Sequence, residues 1–235
     1  MSVSSSTTQV VIGSLMLGCL AIANSQSMTE DPCPNLKASA IPADFFETCR
    51  PLPITPAEKD LMLALLPTSG EVHKLSPAER RKVAAFDRVF MVHGRGGIYQ
   101  VKVIDLRMAT TALYERFVFL VTRTALDLLS EGELQALAAH EIGHEYVWQQ
   151  YASAKQRNDT AKLRDLEAIC DITAAQALEQ LGISTQELIN ALEKVARYNR
   201  EHFGMVLNDR EYPTTSERRA IITRLTASAG GPKMH

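Results

Sequence analysis

The first thirty of the 235 residues contain no lysine or arginine, and their only acidic residue is Glu30. That stretch therefore offers neither a basic nucleic-acid arm nor a charged solvated surface. The whole chain carries a formal charge of −2 and has no long basic run, so nucleic acid is not an expected partner. Repeats and low-complexity tracts are absent. Beyond residue 23 no apolar run is long enough to cross a bilayer. Cysteine is scarce, at four, which excludes a disulfide-dense miniature scaffold. What remains, with 46% apolar residues, is enough for one sizeable domain with its own core.

Val10 to Ala23 reads VVIGSLMLGCLAIA, too short to span a membrane comfortably but suited to the apolar centre of a secretory signal. Ala21-Ile22-Ala23 offers a small-residue cleavage site. Residues 1–23 are therefore read as a signal peptide, or as a lipoprotein signal tethering the chain to a membrane through Cys19. A buried N-terminal helix is the third reading. Export, periplasmic or secreted, is the expectation. Residues 24–53 are rich in Pro, Ser and Asp and read as an extended arm, with residues 54–235 as the main domain. Cys33 and Cys49 flank a Pro-rich stretch and could pair in an oxidising compartment, or stay as two thiols; Cys170 would be left over.

Thr55-Pro56-Ala57-Glu58 and Ser76-Pro77-Ala78-Glu79 each combine an N-cap hydroxyl, Pro at the first helical position and a reciprocating Glu. They predict helices near 56–66 and 77–86. Val89–Val92, Ile98–Ile104 and Phe117–Val121 read as strands, and Arg107–Leu113 as an edge strand. The resulting sheet is expected to be small and antiparallel. From Ser130 the pattern turns helical, with helices expected to about Tyr151, over 160–181 ending at Gly182, from a Ser184/Glu187 capping box to about His202, and over 216–227. The fold class is α+β, a small sheet on a mainly helical body.

Residues 140–144 read His-Glu-Ile-Gly-His. Residues four apart on a helix share a face, with Cβ atoms about 6 Å apart, so both imidazoles can reach one metal. Glu141 lies beside them and is not needed as a ligand. It can take a proton from a water that zinc acidifies. Gly143 leaves room for a close neighbour. The bare pattern arises by chance in roughly one chain in a hundred of this composition.

A catalytic zinc needs a third protein ligand and an open fourth position. Glu167-Ala168-Ile169-Cys170-Asp171 supplies candidates on the next helix. Either Glu167 or Asp171 could bind the metal while the other fixes a ligand histidine. A Cys170 thiolate is a rival, against its plainer role as a small buried hydrophobe. His73, His93, His202 and His235 have no partner spacing and read as surface or loop histidines.

The stretch Leu134 to His144, the Glu167-x-x-x-Asp171 pair, and Tyr212-Pro213 followed by four residues and Arg218 together resemble the M48 family of zinc metallopeptidases, over about residues 105–225. The resemblance implies a zincin-like domain with one zinc held by His140, His144 and Glu167. It puts Asp171 behind a ligand and Arg218 near the cleft. It makes Met108–Ala112 an edge strand that pairs with an extended polypeptide substrate. Tyr212 stands where the family usually has His, and is read either as an oxyanion donor or as packing. The membrane-spanning helices of many relatives are absent. Zinc endopeptidase activity is thus the leading expectation. A zinc-stabilised binding or chaperone-like module is the alternative, and a hydrolase acting on a non-peptide substrate is a third.

Overall fold

The computed structural model describes residues 32–34, 36–41, 45–65, 70–206 and 208–229. The signal-like segment 1–23, Cys19 and His235 lie outside them. The fold is α+β and mainly helical, with one three-stranded sheet. No helix among the described residues is long and apolar enough to cross a membrane.

Residues 24–53 are not simply extended where they are described. A short helix, α1 (Phe45–Thr48), places Phe45 and Phe46 in the core. Cys33 and Cys49 are joined by a disulfide, while Cys170 is free and buried. Helices α2 (Pro56–Leu65) and α3 (Pro77–Ala84) start where the capping chemistry predicts. At Ser76 both halves of the capping box form, and at Thr55 the same exchange links Thr55 to Glu58.

Val89–Val92 is not a strand. It belongs to α4 (Phe86–Val92). Phe86, Val89 and Phe90 are spaced i, i+3, i+4 and form one buried face, which packs between two longer helices. A four-residue apolar window is too short to reveal that period.

The sheet comprises β1 (Gln100–Ile104), β2 (Thr111–Tyr114) and β3 (Val118–Thr122) in the order β1-β3-β2. It is mixed rather than antiparallel. β2 and β3 form a hairpin, and β1 runs parallel to β3 on its other side. β3 is buried at every position, which is why it reads as an unbroken apolar run. The edge strand starts at Thr111 instead of Met108, because the Asn199 side chain takes both backbone groups of Ala109, at 3.0 and 2.8 Å.

The helical body follows α5 (Arg123–Leu128). The helix expected to reach Tyr151 is two: α6 (Glu131–Tyr146), with the Ser130/Glu133 capping box, and α7 (Trp148–Gln156). Val147 leaves the helical region at φ −124°, ψ 21° and its N–H bonds the His144 carbonyl. α8 (Thr160–Leu181) ends in the left-handed Gly182 at φ 67°. α9 (Gln186–Phe203) starts without the expected capping box. The Ser184 hydroxyl accepts from Gln186 N–H, and Glu187 accepts instead from the Ser130 hydroxyl of α6. α10 (Thr215–Ala229) closes the chain against α8. α6 and α8 are the central pair, with β2 laid on α6.

Candidate metal centre

The site lies between α6 and α8, and one glycine sets how closely they meet. A Cβ on Gly143 would sit 2.7 Å from the Cα of Cys170, well inside contact distance. Only hydrogen at that position lets the helices approach so closely. Cys170 is therefore packed beneath the helix crossing as a buried hydrophobe.

His140 and His144 project from one face of α6, with ring centroids 5.3 Å apart. Glu167 comes from α8 to meet them. Its Oε2 lies 3.4 Å from His140 Nε2 and its Oε1 lies 3.7 Å from His144 Nε2. One donor atom from each of the three falls within 4.8 Å of the others, the only such group of His, Cys, Asp and Glu among the described residues. Four ligands about 2.0–2.1 Å from a tetrahedral zinc would themselves be about 3.3 Å apart. These residues fit such a cation in spacing and in donor type. Cys170 and Asp171 are outside the group.

Asp171 sits behind the first histidine instead. Its Oδ1 is 3.0 Å from His140 Nδ1, which puts a proton on Nδ1 and makes Nε2 the nitrogen that a metal would take. Arg218, from α10, donates to Asp171 Oδ1, and its Nη2 lies 3.5 Å from Glu167 Oε2. Arg218 is almost fully buried, so its charge offsets part of the carboxylate charge in the site. Tyr212 is half-buried at the rim and shares a hydrogen bond with Tyr151.

Two contacts were not legible in the sequence. The Tyr151 hydroxyl donates to Glu167 Oε1 at 3.1 Å, and its ring meets His144 edge-on at 4.8 Å. Thr111, on the edge strand, donates its hydroxyl to Glu141 Oε1 at 3.0 Å. Tyr151 stands seven residues beyond His144, but the helix breaks between them at Val147, so the spacing alone does not place it. Thr111 carries no local signal, since thirty residues separate it from Glu141.

Charge in the site is tightly coupled. Burial opposes a charged His140, but Asp171 and Glu167 overcome it and raise its pKa to about 10. Burial carries His144 down to about 4. Glu167 is held at about 2: burial works against its charge, and His144, His140 and Arg218 outweigh that. Burial lifts Glu141 to about 7. In the bare protein the carboxylates thus draw a proton onto His140, in the place a metal cation would take.

His93 is a correction. It is fully buried, with Nδ1 3.2 Å from the Tyr146 hydroxyl and its ring edge-on to Phe46. Burial holds it neutral, with its pKa pushed down to about 3. His73 and His202 are exposed. No family model matches the chain, and no curated protein matches it.

Proposed function

We propose that the chain is a zinc-dependent endopeptidase of the M48 type, with His140, His144 and Glu167 holding one zinc and Glu141 as general base. The observation that carries this reading is the convergence of two imidazole nitrogens and one carboxylate within 4.8 Å, with Glu141 beside them. Three protein ligands leave a position open, as catalytic zinc requires, whereas structural sites usually close with four. Asp171 is occupied by His140 and Arg218, which supports the open count.

When bound, zinc supplies a Lewis acid that polarises a carbonyl and acidifies water. Glu141 takes the proton from the attacking water and returns it to the leaving amine. Thr111 holds one Glu141 oxygen, so the carboxylate is aimed before substrate arrives. Asp171 fixes the His140 tautomer, and Arg218 steadies both acidic partners. Tyr212, at the rim, is the candidate donor to the developing oxyanion. An extended polypeptide is the proposed substrate, laid along β2, whose outer side meets no strand among the described residues. The disulfide and the signal-like N-terminus support export to the periplasm or beyond, by cleavage of the signal or by a lipid tether.

Metal analysis and a casein-type cleavage assay test this together. One zinc per chain is expected. Glu141→Gln should keep the zinc and lower cleavage by about 10²–10⁴-fold. Cleavage that survives in Glu141→Gln rejects the mechanism. Folded protein that binds no zinc rejects the whole reading.

A further inference from the structure

Glu167 has two oxygens, and each is hemmed in by two groups. Oε2 faces His140 Nε2 at 3.4 Å and Arg218 Nη2 at 3.5 Å. Oε1 faces His144 Nε2 at 3.7 Å and the Tyr151 hydroxyl at 3.1 Å. The Tyr151 contact is the shortest of the four. The same side chain sets its ring against the His144 imidazole, centroid to centroid 4.8 Å and nearly perpendicular. One residue thus touches two of the three candidate ligands, one through its hydroxyl and one through its ring.

We propose that Tyr151 is a positioning residue for the metal centre: its hydroxyl orients the Glu167 carboxylate and its ring orients the His144 imidazole. This rests on the metal-site reading above. Tyr151 can serve both groups because its helix has a separate seat. The break at Val147 lets α7 start afresh, with Tyr151 N–H bonded to the Val147 carbonyl at 2.8 Å. Buried Ala154 and the Lys155–Glu211 ion pair, at 2.6 Å, then hold α7 down.

Proton counting extends the assignment. An ionised carboxylate only accepts, so Tyr151 commits its single hydroxyl proton to Glu167.

The test is a titration of the metal-free full chain with Co²⁺, followed by visible absorption, with Zn²⁺ affinity measured by competition. Tyr151→Phe keeps the ring and removes only the hydroxyl. It should weaken Co²⁺ and Zn²⁺ binding by about 10-fold or more and alter the cobalt bands, with the metal-free melting temperature close to wild type. In a Glu167→Asp background, whose shorter side chain withdraws from the phenol, Tyr151→Phe should add less than about twofold. Wild-type affinity and an unchanged spectrum in Tyr151→Phe would overturn the assignment while leaving the metal site standing. So would full additivity with Glu167→Asp. Wild-type protein that binds neither ion overturns the metal site, and Tyr151 falls with it.

Discussion

His144 and Glu145 are neighbours on α6, yet they serve two sites of opposite design. Glu145 is 1% exposed and surrounded by donors. Arg95 reaches both its oxygens, at 2.8 and 3.0 Å, Arg116 adds a contact at 3.2 Å, and the Tyr99 hydroxyl donates as well. Burial and the nearby Glu145 charge raise the Tyr99 pKa well above normal, so it remains a donor. The two arginines also grip the backbone carbonyls of Pro51 and Leu52, which fastens the N-terminal segment to the body. Beside His144, Glu167 faces two imidazole nitrogens, at 3.4 and 3.7 Å, together with the Tyr151 hydroxyl and an Arg218 nitrogen. One carboxylate is closed by protein donors. The other shares its surroundings with two further candidate ligands, and in the reading proposed above a cation completes it. The difference separates a clamp from a binding site, although both are buried and both contain arginine.

The comparison breaks most visibly at the clamp. Glu145→Gln removes the charge that balances Arg95 at the centre of the protein. A buried partner left unpaired costs about 3–5 kcal/mol, so urea unfolding should show a loss of that order. Metal affinity per folded molecule should hold. A fall in metal affinity with no loss of stability would mean that the two faces of α6 are not separate.

Gly143→Ala acts at the crossing between the faces, and its expected effect is smaller in stability. The added methyl meets backbone, which cannot rotate away, so α6 and α8 must part. Overpacking of this kind costs about 1–3 kcal/mol. Because the crossing also sets the Glu167 to His140 distance, zinc affinity should fall with stability. Loss of stability with unchanged affinity would show that the site tolerates a wider crossing.

Local chemistry was legible in the sequence; contacts across the chain were not. The spacings of His140 and His144, and of Glu167 and Asp171, encode helical faces, because i and i+4 meet on any helix. Capping boxes at Ser76 and Ser130 marked helix starts, since both partners lie within one turn. Gly143 was readable as a close approach, though not its partner Cys170. Arg95 and Glu145 are fifty residues apart, and nothing in either neighbourhood announces their pairing. His93 looked like a loop histidine because burial depends on Phe46 and Tyr146, far away in sequence. The parallel pairing of β1 with β3 is likewise a matter of how the chain passes β2, which strand propensity does not record.

The smallest predicted effect lies at the start of α10, one residue from Arg218. Glu217 accepts from the Thr214 N–H at 2.8 Å and from its hydroxyl at 2.6 Å, and Arg164 pairs with it. These contacts, Thr214 foremost, hold its pKa at about 2, below the ordinary 4.5. A depressed carboxylate contributes stability that is fully present above pH 4.5 and is lost as pH falls toward 2. The side chain is 49% exposed, so solvent screening keeps the effect of Glu217→Gln below about 1 kcal/mol at neutral pH. Urea midpoints of wild type and variant should converge as pH approaches 2. Zinc affinity should change by less than about threefold, because Arg218 is held separately by Asp171 and by the Pro213 carbonyl. A tenfold loss of affinity would instead make the cap of α10 part of the proposed metal site, and the line between clamp and binding site would have to be redrawn to include it.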